Sequence, residues 1–334
     1  MKLNHHRTLS IRTLAASIWV AAWAFVAGVG CSYPAFAANP EAEQCSVAVV
    51  TMQPGSQGRV CDPKTVRSLA QHGHVYEQNQ LGMVSMLAIG SGYNPAEAVK
   101  WFERAAQNGY VPAQVNLGVM YINGWGVPTN YGTALRWLHE AANRGSARAN
   151  YNLGVLYMRG LGVPQDYAEA GRYFQKGADA GDSGAQTDLG YLYDQGLGVP
   201  RNQELASRWY RKAANNGFAL AQNNLADLYL RGEGVPQNDD TAFQLFQQAA
   251  SQGQTGARIK LAYMYASGRG TAKDLSSAYA LITAAAVAGD NRGEDLLRTI
   301  VSQLSAQQIA QAKEQAKRLN AGVEGELSAR AFQP

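Results

Sequence analysis

Three short segments of this sequence carry residue types that do chemistry in other settings. Gly181-Asp182-Ser183-Gly184 has the residue order found around an acyl-transfer serine. Such a serine needs a base within hydrogen-bond reach and donors for an oxyanion, and the sequence offers no identifiable partner for either role. His139-Glu140-Ala141-Ala142 opens like a zinc-protease helix, but Asn143 stands where the second histidine ligand belongs. His72 and His74 flank Gly73 and could share a metal, yet a structural zinc wants four ligands and no third histidine or cysteine cluster is near. A histidine interacting with a helix end accounts for them more simply. The Gly-x-Gly pairs along the chain lack the Lys-Ser/Thr that completes a phosphate loop. These segments lead us to expect no catalytic residue, no cofactor and no metal site. The alternative is a cell-wall-acting hydrolase or penicillin-binding enzyme whose residues are assembled only in three dimensions.

Each near-motif falls inside a larger order. Leu81, Leu117, Leu153, Leu189, Leu225 and Leu261 recur at a constant spacing of 36 residues, and so do Gly109, Gly145, Gly181, Gly217, Gly253 and Gly289. A fixed period of this length marks a solenoid of stacked supersecondary units, each burying its apolar face against its neighbours. In the unit beginning at Ala149, the residues Ala149, Leu153, Leu156 and Tyr157 form one apolar stripe of a first helix. Gly154 lies beside that stripe, where a missing side chain admits a second helix. Gly160-Leu161-Gly162-Val163-Pro164 ends the first helix, and Asp166 is placed to cap the second. Glu169, three residues on, suggests a capping box. Asn130, Asn202, Asn238 and Asp274 hold the same position in other units. Ala170, Tyr173, Phe174 and Ala178 are the expected buried face of the second helix. The expected fold is therefore an all-α, right-handed α/α solenoid of helix-turn-helix repeats.

The expected divisions are a leader over 1–37, an N-terminal segment with a half repeat over 38–76, the solenoid over 77–292, capping helices over 293–319 and a tail over 320–334. The leader combines Lys2, Arg7 and Arg12 with an apolar run from Ile18 to Val29 and the small residues Ala35-Phe36-Ala37. Export to the periplasm or outside the cell, in a Gram-negative bacterium, is the expectation. An outer-membrane lipoprotein anchored at Cys31 fits less well, because Gly28 sits where a bulky aliphatic residue is usual. The whole chain has 29 basic and 25 acidic residues, and without the leader's three basic residues the balance is 26 against 25. That near-neutrality gives no electrostatic case for nucleic acid. Cys45 and Cys61, with 15 residues between them, are expected to pair in an oxidising compartment. The closed loop would contribute about 3 kcal/mol in the chain-entropy picture.

The two recurring phrases, Ala-x-x-x-Leu-Gly-x-x-Tyr-x-x-Gly-x-Gly-Val-Pro and Ala-x-x-Trp/Tyr-x-x-x-Ala-Ala-x-x-Gly, closely resemble the Sel-one-like repeat (SLR) family, a relative of the tetratricopeptide repeat. The resemblance implies a scaffold or adaptor, and exported relatives resemble regulators of envelope signalling, polysaccharide output or host contact. It also implies that a concave groove lined by the first helices holds a protein or peptide segment. The lining positions are Val115, Val119, Ile122, Asn123, Tyr151, Val155, Met158, Arg159, Tyr191, Asp194, Gln195, Asp227, Leu230, Arg231 and Tyr263. Tyr151, Tyr191 and Tyr263 lead this group, since aromatic residues are enriched in binding hot spots. The competing reading is that these side chains only seal the seam between successive first helices. Neither the partner nor the oligomeric state follows from the sequence.

Overall fold

The computed structural model describes residues 63–86 and 93–330. The leader, Cys31 and the Cys45–Cys61 pair all lie outside the described residues. Among the described residues helix α1 (Pro63–Gln71) comes first, and six helical pairs follow: α2 (Val75–Met86) with α3 (Pro95–Gln107), α4 (Val111–Asn123) with α5 (Tyr131–Asn143), and α6 (Ala147–Arg159) with α7 (Tyr167–Asp179). Next come α8 (Ser183–Gln195) with α9 (Gln203–Asn215), α10 (Ala219–Arg231) with α11 (Asp239–Ser251), and α12 (Thr255–Ser267) with α13 (Leu275–Val287). The short α14 (Glu294–Val301) and the long α15 (Ala306–Arg330) close the stack. Among the described residues there is no strand, and no helix is long and apolar enough to cross a membrane.

The boundaries are set by side chains at the expected positions. Asn130 accepts from the Thr133 amide at 2.9 Å, Asp166 from Glu169 at 2.9 Å, Asn202 from Leu205 at 3.0 Å and Asn238 from Thr241 at 2.8 Å. Asp274 accepts from both Ser276 and Ser277 at 3.0 Å. Each cap is worth about 1 kcal/mol, because it satisfies an amide that the helix cannot. The capping box at Asp166 is only half made. Its own amide donates to the Tyr157 carbonyl at 3.0 Å, so Glu169 is free to hold Arg172 at 2.8 Å. The reciprocal box forms instead at the head of α15, between Ser305 and Gln308.

Between paired helices the glycines have distinct tasks. Gly160 caps α6 in the left-handed conformation, at φ 67°. Gly162 lies against the head of the preceding second helix, where an added Cβ would come within 2.3 Å of the Tyr131 Cβ. Gly154 sits under the Phe174 ring, which a Cβ would approach to 2.5 Å. Phe174 is fully buried there, and the burial of such a side chain is worth roughly 2–3 kcal/mol. The second helix of each pair packs on its own first helix and on the next one, so α6, α7 and α8 share one cluster around Phe174, Leu189 and Leu192.

A recurring polar contact joins the pairs that the apolar pattern conceals. The side-chain amides of Gln78, Gln114, Gln186 and Gln222 each donate to a carbonyl eight residues earlier, at the end of the preceding second helix. In the last pair Arg258 takes this place, with Nε donating to the Ala250 carbonyl at 3.3 Å. Its remaining donors reach the Leu319 carbonyl at 2.9 Å and Asn320 Oδ1 at 2.6 Å, which pins α15 over α13. Asn320 in turn donates to the Ala284 carbonyl at 3.3 Å. Helix α15 therefore continues past the division expected at 319 and runs to Arg330. Asn320, where a tail was expected to begin, is one of its anchor points.

Candidate functional site

Successive first helices touch across the stack. Asn116 Nδ2 on α4 donates to Asn79 Oδ1 on α2 at 3.1 Å, and Lys260 on α12 pairs with Asp227 on α10. Helix α6 contacts both α4 and α8 in this way. Close approach on this side makes it the inner face of the curve, and the second helices form the outer face. The inner face is where the sequence places the groove.

Burial sorts the fifteen expected groove residues by position. Val115, Val155 and Asp194 are buried, at 4%, 8% and 7% exposure, and are corrected from groove lining to seam. Val115 packs with Leu138 and Leu153, and Val155 with Phe174 and Leu189, because each lies where one first helix meets its neighbours. Asp194 Oδ2 lies between Gln195, at 3.0 Å, and Arg231 on the next first helix, at 4.0 Å, while among the described residues its buried Oδ1 has no hydrogen-bond partner. Val119, Ile122, Asn123, Met158 and Leu230 are half-buried, and Asn123 turns its amide back onto the Val119 carbonyl at 2.8 Å. Arg159, Gln195 and Arg231 are exposed at the rim, and Arg231 also pairs with Glu233 at 3.1 Å. Asp227 is half-buried and neutralised by Lys260.

The three tyrosines differ. Tyr191 and Tyr263 stand open at 41% and 46% exposure. Tyr151 is half-buried instead. Its ring lies 6.0 Å from that of Phe174, a Cβ at Gly184 would come within 3.0 Å of it, and the Arg148 guanidinium sits 5.6 Å from its centroid. Burial and the neighbouring carboxylates of Asp188 and Asp182 push its hydroxyl pKa up. Tyr151 is thus packed between units, while Tyr191 and Tyr263 stand open to solvent.

The sequence reading missed the residue just before each register leucine. Asn116, Asn152, Asp188, Asn224 and Lys260 hold this place, and Asn116 and Lys260 reach across to the preceding first helix. Five polar residues in a row beside a buried leucine were the available signal. Asp188 differs from the rest: it is half-buried, and among the described residues it has no hydrogen bond or ion pair. Desolvation raises its pKa to about 7, with Asp182 adding to the rise and Arg159 opposing it.

The near-motifs have structural work. Asp182 caps α8 through the Ala185 amide at 2.8 Å, and Ser183 is buried and accepts from Asn216 at 3.2 Å. His139 is half-buried, set edge-on to Tyr173 at 6.0 Å, and burial lowers its pKa. His72 Nδ1 lies 2.7 Å from the Ser68 carbonyl at the end of α1. Among the described residues no group of three His, Cys, Asp or Glu side chains could hold a metal.

The family model described as "Sel1 repeat" matches residues 78–110, 111–146, 147–182, 183–218, 219–254 and 256–290. Among solved structures, the chain is similar to a Sel1 repeat protein from Oxalobacter formigenes at 31% identity and TM-score 0.62, covering 68% of this chain and 91% of that one. It is also similar to c5321, a protective antigen present in uropathogenic Escherichia coli strains and displaying an SLR fold. That match has 25% identity and TM-score 0.51, over 87% of this chain and 71% of that one. Among curated proteins none matches the chain.

Proposed function

The chain belongs to the Sel1 repeat family, whose members are generally protein-interaction scaffolds, and from that premise we propose that it holds a protein segment along its inner face. The observation that carries this reading is the pair of open tyrosines. Tyr191 and Tyr263 occupy the same register position on α8 and α12, where a merely solvated face gains nothing from them. The Asp227–Lys260 pair lies between them and supplies polar selectivity at modest energetic cost. Half-buried Val119, Ile122, Met158 and Leu230 extend the apolar path along the stack. Action outside the cytoplasm is part of the proposal, and it rests on the leader pattern of residues 1–37.

A photoreactive residue placed at Tyr191 in cells tests the reading against the same residue at Arg208, on the outer face. Capture of one discrete protein from the Tyr191 position, reduced in a Tyr263→Ala background, is the expected result. Equal capture from both positions would mean that the inner face is not the docking surface. The location is tested separately, by finding whether the protein in fractionated cells has lost residues 1–37.

A further inference from the structure

We propose that the segment held in the groove presents a basic side chain, Lys or Arg, whose charge sits on α8 between Asp188 and the ring of Tyr191. The proposal rests on the groove reading above and adds the chemistry of its occupant.

Charge complementarity carries the argument. Most of the formal charges on this part of the inner face are already matched. Arg148 lies 3.6 Å from Asp182, Arg231 lies 3.1 Å from Glu233 and 4.0 Å from Asp194, and Lys260 pairs with Asp227. The residues equivalent to Asp188 are also matched: Asn116 bonds Asn79, Asn152 bonds the Arg148 carbonyl and Lys260 bonds Asp227. Asp188 alone in this series is a carboxylate, and it has no donor among the described residues. A partly desolvated carboxylate without a donor is costly, and a bound cation relieves that cost in the way a buried charge pair does.

The surroundings suit a cation on a long stem. Tyr191 lies one turn beyond Asp188 on the same helix and is 41% exposed, so its ring face is open for a cation or an alkyl chain. Tyr151 on α6 lies near Asp188, and its ring already carries the Arg148 guanidinium at 5.6 Å. Arg159, exposed at the rim, is the one nearby cation without an ion pair among the described residues, and its charge opposes a basic ligand. The groups facing Asp188 are Tyr151 and Arg159 from α6, Asp182 at the head of α8 and Tyr210 from α9, with Arg148 set against Tyr151 and Asp182. With the Asp188 pKa pushed up to about 7, the free site carries its full negative charge only above neutrality. A basic ligand should therefore bind more weakly as pH falls through that value.

The test uses the whole protein and short fluorescein-labelled peptides of three compositions, Lys/Leu/Gly, Glu/Leu/Gly and Gln/Leu/Gly, read by fluorescence anisotropy. The Lys peptide should bind best, about tenfold more weakly to Asp188→Asn, and more weakly at pH 6 than at pH 8. Asp188→Asn should lose that pH dependence while keeping the wild-type helical signal, with a thermal midpoint at pH 8 no lower than the wild type's because a carboxylate penalised by burial has been removed. Arg159→Gln should bind the Lys peptide more tightly, by about two- to threefold, as expected for removing an exposed like charge. A preference for the Glu peptide, or tighter binding being replaced by weaker binding in Arg159→Gln, would overturn the proposal. So would Lys-peptide binding that Tyr191→Ala weakens and Asp188→Asn leaves unchanged, a result that spares the groove reading. Failure of all three peptides to bind would overturn both.

Discussion

The third helical pair, α6 with α7, and the last, α12 with α13, are written with one phrase and solve different problems. In the third pair, shape does the joining. Gly154 admits Phe174, Gly162 admits the neighbouring Tyr131, and Leu161 and Val163 are half-buried in the turn. In the last pair the seam residue is Ala262, which shares a buried cluster with Ile282, and the turn has decayed to Gly268-Arg269-Gly270-Thr271-Ala272. Charge and hydrogen bonds take over there. Arg269 holds Asp239 at 2.7 Å and the Leu230 carbonyl at 2.8 Å, while Arg258 ties α12 to α15. An inner pair meets copies of itself on both sides, so a repeated surface suffices. The final pair meets a helix that is not a repeat, and directional bonds specify that contact where periodic packing cannot.

The largest test of this contrast is removal of the inner ring. Phe174→Ala should lower stability by about 3–5 kcal/mol, measured by urea denaturation, with hydrogen exchange rising across α6, α7 and α8 together. If exchange rises equally over α12 and α13, the pairs are not the near-independent units that nearest-neighbour packing requires.

Arg258→Gln isolates the other end. Glutamine can keep the bond to the Ala250 carbonyl, as Gln222 does to Ala214, but cannot span to Leu319 and Asn320. Losing those bonds should cost about 1–3 kcal/mol, seen as faster hydrogen exchange in α15 with α6 to α9 unchanged. Faster exchange throughout the stack would show that α15 supports the inner pairs as well.

Swapping the seam residues sharpens the comparison further. Gly154→Ala gains about 1 kcal/mol of helix propensity but drives a Cβ into the buried Phe174 ring, a clash worth about 1–3 kcal/mol. The net effect should be a loss. Ala226→Gly, in a seam already built for alanine, should cost only about 0.5–1 kcal/mol. Thermal midpoints of the two variants compare them directly, and a stabilised Gly154→Ala would mean that the seam has slack.

The smallest effect is expected in acid. Arg292, in contact through two nitrogens, and Thr255 hold the Asp290 carboxyl down at about pH 2, below its ordinary value of 3.8. A depressed carboxylate stabilises the fold above its unfolded pKa and loses that contribution as pH falls towards about 2. Arg292 is 71% exposed on its side chain, so the contribution should stay below about 1 kcal/mol. Asp290→Asn should therefore narrow the gap in thermal midpoint between pH 5 and pH 2 by a small amount, and only at this end of the stack.

The repeat, the helix ends and the seam were legible in residue order because each depends on neighbours in sequence. Asn130, Asp166 and Asn202 cap helices through amides three residues away, and Gly154 meets Phe174 within one unit. The inner face was legible only in part. Val115, Val155 and Tyr191 share an arc of the helical wheel, yet two are buried and one is open. Exposure there depends on how far the next unit turns and which side chain it brings, and a single helix's pattern does not contain that. Asn116 and Asp188 look alike in sequence, but Asn116 finds Asn79 across the stack while Asp188 faces Tyr151 and finds no donor. The chain alone thus determined the modules and their order, since local contacts are encoded by spacing. The stacking of one module on the next decided which side chains remain for a partner, because pairing across the seam joins residues more than thirty positions apart.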